Sequence, residues 1–139
     1  MQTFEYIEKN LNIKYPVENL GEPGSLIFLD IETTGLSPAN AEAYLIGTAT
    51  FNNGKLYIRQ FFADDTSEEK KLLETFSEYL NNFDTIITFN GNKFDIPFLE
   101  KRSFVYGIDL AFSEKTGIDL YKRIQPYKKL LSLPDMKQK

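Results

Sequence analysis

The chain contains neither cysteine nor histidine among its 139 residues. Without cysteine there can be no disulfide, no thiolate metal site and no thiol nucleophile. Without histidine there is no Ser-His or Cys-His catalysis, no imidazole ligand and no imidazole general base. Any acid–base or metal chemistry therefore falls to carboxylates, Lys or Tyr. No apolar run approaches the roughly 18 residues of a membrane span, and the N-terminus lacks a basic region followed by an apolar core. A soluble, cytoplasmic protein is expected.

Hydrophobic residues make up 42% of the chain, with 12 Phe and 8 Tyr. That supply supports one folded domain of ordinary size without disulfides or structural metal. The net charge of −4 is unevenly spread. Residues 1–113 hold 9 basic and 17 acidic groups, whereas 114–139 hold 7 and 3. The basic end includes Lys122, Arg123, Lys128, Lys129, Lys137 and Lys139. Such a cluster can grip phosphates, and it can equally be a solvated helix face.

The most informative stretch is Leu26 to Leu36, an apolar run ending in Asp30 and Glu32. In a strand these two side chains share one face, and carboxylates held that close repel unless a cation lies between them. Hard divalent ions take oxygen ligands, so the pair reads as half of a metal site for phosphoryl chemistry. The bland alternative is a solvated acidic turn after an edge strand. Against it stand the apolar run before the pair and the Thr-Thr-Gly that follows it.

Along the rest of the chain, Thr3 to Leu11 reads as a short amphipathic helix carrying Phe4, Ile7 and Leu11 on one face. Tyr15 to Ser25 reads as a connecting loop, giving an N-terminal segment 1–25 ahead of a domain 26–139. Tyr44–Phe51 and Lys55–Phe62 flank Asn52-Asn53-Gly54, a hairpin signal. Thr66 to Leu80 is the surest helix, with a capping box at Thr66–Glu69 and a buried stripe of Leu72, Leu73, Phe76, Tyr79 and Leu80. Thr85–Phe89 is a second apolar strand, Phe94–Tyr106 a helix, Gly117–Leu120 a last strand and Tyr121 to about Leu131 a basic helix. The order predicts a mixed α/β sheet of five strands, antiparallel on the hairpin side and parallel on the other, with the first strand central. Ligands gather at the carboxyl ends of such central strands, where Asp30 and Glu32 lie.

A second motif follows strand Thr85–Phe89: Asn90-Gly91-Asn92-Lys93-Phe94-Asp95-Ile96-Pro97-Phe98-Leu99. Asp95 falls at a helix start. It either converges on the same cation as Asp30 and Glu32 or caps free backbone N–H groups, the latter worth on the order of 1 kcal/mol. Phe94 and Phe98 could stack on a base, but aromatics beside a helix start read better as core.

Taken together, Phe28 to Leu36 resembles the first motif of the DEDD 3′–5′ exonucleases, an RNase H-like superfamily, and Asn90-Gly91 with Phe94-Asp95 resembles the second. The phrase Thr88 to Leu99, with Asp119-Leu120-Tyr121 and Arg123, is most similar to the YprB-like predicted-exonuclease branch. The resemblance implies an RNase H-like fold and metal-dependent 3′–5′ hydrolysis of single-stranded DNA or RNA. It implies Asp30, Glu32 and Asp95 as the first three of four carboxylates holding two Mg²⁺ or Mn²⁺ ions, one generating a hydroxide and the other stabilising the departing 3′ oxygen. Thr33 and Leu36 match positions that meet the terminal nucleotide, and Asn90 one near the scissile end. Asp119 is a candidate to support the metal ligands from behind, with a strand-end hydrogen-bonding role as its alternative.

The family's fourth carboxylate lies on a later helix, with a His or Tyr shortly before it, and no such motif is found before Lys139. Asp109 and Asp119 come too early, and Asp135 sits in what reads as a linker. The sequence therefore predicts a domain incomplete at its C-terminus, weak or inactive alone, with an exposed sheet face where a second copy could associate. A binding module that grips a nucleic-acid end or nucleotide without cutting is the alternative class. A phosphatase with Asp30 as nucleophile is disfavoured, because a second Asp is wanted where Glu32 stands.

Overall fold

In the computed structural model, residues 1–9 and 17–124 are described. They form a six-stranded mixed sheet in the order β1-β4-β3-β2-β5-β6. The strands are β1 (Gln2–Glu8), β2 (Leu26–Thr33), β3 (Ala43–Asn52), β4 (Lys55–Phe62), β5 (Thr85–Thr88) and β6 (Thr116–Asp119). Helix α1 (Glu69–Leu80) joins β4 to β5, α2 (Asp95–Val105) lies between β5 and β6, and α3 (Leu120–Ile124) follows β6. The sheet is mixed, with β2 at the change from antiparallel to parallel pairing, as the element order implied.

The first segment corrects the sequence reading. Residues 2–8 are a strand paired antiparallel with β4, not an amphipathic helix, and they add a sixth strand to the expected five. The spacing of Phe4 and Ile7 competes with a run of Thr, Phe, Tyr and Ile that favours extended backbone. Pairing along β4 decides it, reinforced by an ion pair between Glu5 and Arg59. Leu11, the third member of the expected stripe, lies outside the described residues.

The β3–β4 hairpin turns where expected. Asn53 and Gly54 take φ of 51° and 74°, the left-handed backbone that a two-residue turn demands. The cap of α1 differs from the expected box. Asp65 accepts the Ser67 amide at 2.8 Å, Glu68 accepts the Asp64 amide at 2.8 Å, and Thr66–Glu68 forms a 3₁₀ turn ahead of the helix.

The pleat sorts the sheet residues into two layers. Ile27, Leu29 and Ile31 of β2 join Ile46, Phe61 and Ile86 under α1 and α2, which contribute Leu72, Leu73, Phe76, Phe98 and Leu99. The opposite layer is thin: Leu20, Leu26, Ile87 and Ile118 with Phe28 and Leu120. Over it lies an open depression of about 470 Å³ bordered by Phe28, Asp30, Gly47, Ile58, Ile87 and Leu120. Lys122 and Arg123 are exposed on α3. The remaining basic cluster, most of the expected last helix, and Asp135 lie outside the described residues. Among the described residues no helix is long and apolar enough to cross a membrane.

Candidate functional site

Strand β2 outruns its parallel neighbour. Its pairing with β5 covers only Leu26, Ile27 and Phe28, while its antiparallel pairing with β3 continues to Thr33. Past Phe28, one side of β2 is therefore clear of β5. Ile31 points into the helical layer and is buried, whereas its neighbours Asp30 and Glu32 point to the thin layer and are exposed.

Asp95 enters this gap from α2. It is fully buried, and its Oδ2 accepts the amide of Ile31 at 3.2 Å. Asp95 is the first residue of α2, and Phe94, at the N-cap position, makes no side-chain cap hydrogen bond. The structure thus brings Asp95 to the backbone unit between Asp30 and Glu32, joining segments 64 residues apart. Asp30 and Glu32 approach from one layer and Asp95 from the other. Among the described residues no three acidic side chains close into a finished cation cage. The donor set, carboxylate oxygens without nitrogen or sulfur, fits a hard divalent ion.

The turn that delivers Asp95 is held from behind. Asp119, at the end of β6, is buried and accepts amides from Asn90 at 2.8 Å, Asn92 at 3.2 Å and Tyr121 at 3.0 Å. Asn90 adopts a φ of 61°, and its Oδ1 is withdrawn from solvent with no hydrogen-bond partner among the described residues. Gly91 is needed because a Cβ there would sit 2.4 Å from side-chain atoms of Thr88. Phe98 is core at 1% exposure, and Phe94 packs half-buried beside it with ring centroids 5.4 Å apart.

The other sequence-matched positions lie in the loop after β2. Thr33 donates its hydroxyl to the Gly35 carbonyl at 2.7 Å, so that side chain shapes the loop. Leu36 is 73% exposed, an apolar side chain held out to solvent in the loop that follows β2.

Sequence reasoning missed a buried network beside this loop. Glu69, at the start of α1, is fully buried against Arg102 of α2, with Arg102 Nε 3.1 and 3.0 Å from the two carboxylate oxygens. Tyr106 donates its phenol to Glu69 at 2.6 Å. The hydrogen bond to Glu69 holds the Arg102 guanidinium above its already high range. Burial first, and then the bond to Glu69, push the Tyr106 phenol above its usual value. A signal was available: Glu69 falls in phase with Leu72, Leu73, Phe76 and Leu80, and Arg102 with Asp95, Phe98 and Leu99. A charge in register with an apolar stripe must be paired.

Comparison with known proteins gives a consistent outcome. The RNase_H_2 family, RNase_H superfamily, matches residues 27–137. A DNA polymerase of Methanocaldococcus jannaschii is 38% identical over 73 residues, which is 50% of this chain and 4% of that protein. Among solved structures, the family B DNA polymerase from the hyperthermophilic archaeon Pyrobaculum calidifontis superposes with a TM-score of 0.60 at 17% identity, covering 73% of this chain and 16% of that one. The zinc-ion-bound form of the E. coli ExoI–ssDNA complex gives 0.59 at 11% identity, covering 85% of this chain and 32% of that one. The chain spans a minor part of each of these larger proteins. At such identities the structural likeness speaks to the fold.

Proposed function

We propose, from the premise that this chain belongs to the RNase H superfamily, that it is a metal-dependent 3′–5′ exonuclease-like domain of the YprB-like branch, acting on single-stranded ends. One observation carries the reading. The carboxylate of Asp95 rests on the amide between Asp30 and Glu32. Like charges gathered at the rim of one sheet are an arrangement that a divalent cation stabilises.

In this reading Asp30, Glu32 and Asp95 hold Mg²⁺ or Mn²⁺, which when bound supplies Lewis-acid polarisation of the scissile phosphate. The protein's own groups position the strand. Leu36 packs on the terminal base, the backbone at Thr33 meets the terminal nucleotide, and Asn90 lies near the scissile end. Asp119 holds the Asn90–Asn92 turn through two amides and the start of α3 through the Tyr121 amide, so its part is to place Asn90 and Asp95.

Among the described residues no acidic side chain matches the family's fourth carboxylate. Asp109 accepts the Ala111 amide at 2.8 Å, and Asp119 is committed to its turn. In this reading the described residues supply three of the family's four carboxylates, and weak hydrolysis is the expectation that the assay below tests. A second reading, a module that binds strand ends without cutting, is favoured by the three carboxylates not closing into a cage.

The test is degradation of a 5′-labelled single-stranded oligonucleotide in Mn²⁺, with strand binding measured alongside. A ladder shortening from the 3′ end supports the exonuclease reading. Asp30→Ala and Asp95→Ala should each lower the rate by about 100-fold or more, as expected when metal-held transition-state stabilisation is removed, while strand binding changes little. Binding without any shortening supports the second reading. Neither cutting nor binding rejects both.

A further inference from the structure

The loop that carries Leu36 is not held only by its own turns. Its neck is closed by the Thr34 amide donating to the Glu42 carbonyl at 2.9 Å and the Glu42 amide donating to the Thr34 hydroxyl at 2.9 Å. Beyond the neck, the buried pair between α1 and α2 reaches it twice. Arg102 Nη1 donates to the Pro38 carbonyl at 3.1 Å, and the Ala43 amide donates to Glu69 Oε2 at 2.8 Å. One ion pair thus grips both the middle of the loop and its exit into β3. Tyr106 takes a further position on Glu69, fixing the carboxylate's rotation.

This is more than a helix-to-helix tie. A buried ion pair can often be replaced by apolar side chains of similar volume without loss of stability. Such a replacement could not hold Pro38 and Ala43, because those contacts are hydrogen bonds to backbone. We infer that Glu69, Arg102 and Tyr106 are positioning residues. They fix loop 34–42 against the sheet rim so that Leu36 and the Thr33 backbone are already placed for the end of a strand. The part of this inference that concerns the strand rests on the function proposed above. The part that concerns the loop does not.

The experiment separates stability from positioning by comparing the 139-residue chain with its Glu69→Leu/Arg102→Met and Arg102→Lys variants. Hydrogen exchange is followed by mass spectrometry, and binding of a labelled oligothymidylate by anisotropy in Ca²⁺. The double variant strands no buried charge and should melt well above Glu69→Leu alone. Its amides over residues 34–43 should nonetheless exchange about tenfold faster, with β4 and β5 unchanged. Its affinity for the oligonucleotide should fall about fivefold to tenfold. Arg102→Lys keeps the charge but cannot span Glu69 and the Pro38 carbonyl together, and should shift both readouts in the same direction by about threefold. Parental exchange over 34–43 in the double variant, or acceleration spread evenly over the whole chain, overturns the positioning role. If the parent itself fails to bind the oligonucleotide, the strand-end function falls and takes the binding half of the inference with it. The exchange data then decide the loop half alone.

Discussion

Glu69 and Asp95 are both fully withdrawn from water, yet the regions around them are built on opposite principles. Glu69 meets a guanidinium, a phenol and an amide, so its charge is cancelled inside the protein. Asp95 takes the amide of Ile31, and the residues on either side of that amide are two more carboxylates. The first region balances its charge with groups on two helices, while the second brings acidic side chains from two distant segments to one stretch of β2. Burial of an acid does not by itself disclose its job; the groups it meets do. The Glu69 region holds backbone still, and the stretch around Ile31 is where the proposed cation from solution would bind.

The sharpest way to break the contrast is Glu69→Leu alone, which strands Arg102 without its partner. It should cost about 3–5 kcal/mol, measured by the denaturant midpoint, whether or not Mn²⁺ is present. Next comes Gly91→Ala, which drives a methyl into Thr88 at 2.4 Å. A loss of about 1–3 kcal/mol is expected from overpacking, together with a weaker response to Mn²⁺ as the turn bearing Asp95 shifts. Asp95→Asn keeps an acceptor for the Ile31 amide, so without metal it should alter stability by about 1 kcal/mol. The rise in Tm with Mn²⁺ should disappear in that variant. A large metal-independent loss there would put Asp95 in the same structural class as Glu69.

The smallest effect lies at high pH. The Tyr106 phenol titrates above its usual value because burial and the bond to Glu69 favour its neutral form. Its contribution is complete below the unfolded-state value near 10 and is lost as pH rises through the higher folded-state value. Tyr106→Phe should flatten that alkaline limb of the stability profile.

Much of this molecule was legible in its residues. The Asn-Gly turn, the apolar stripe of α1 and the run closing in Asp30 and Glu32 each carry a local physical signal, and the sheet order follows from their sequence. The first strand was misread because a short segment of Thr, Phe, Tyr and Ile fits two periodicities, and the choice is made by β4, which is distant in the chain. The convergence on Ile31 was legible only as a resemblance between motifs. A hydrogen bond from a backbone amide leaves no trace in the identity of the residue that donates it. The Glu69–Arg102 pair left a readable mark, a charge in phase with an apolar stripe, but its hold on Pro38 and Ala43 again runs through backbone atoms.

The unequal lengths of β2 and β5 have a further consequence. Had β5 been extended by three residues, its carbonyls would have zipped along β2 and claimed the Ile31 amide, and Asp95 would have had no seat. The acidic rim exists because a sheet stops pairing early on one side. Lengthening β5 is therefore a way to erase the site while leaving every acidic side chain in the chain.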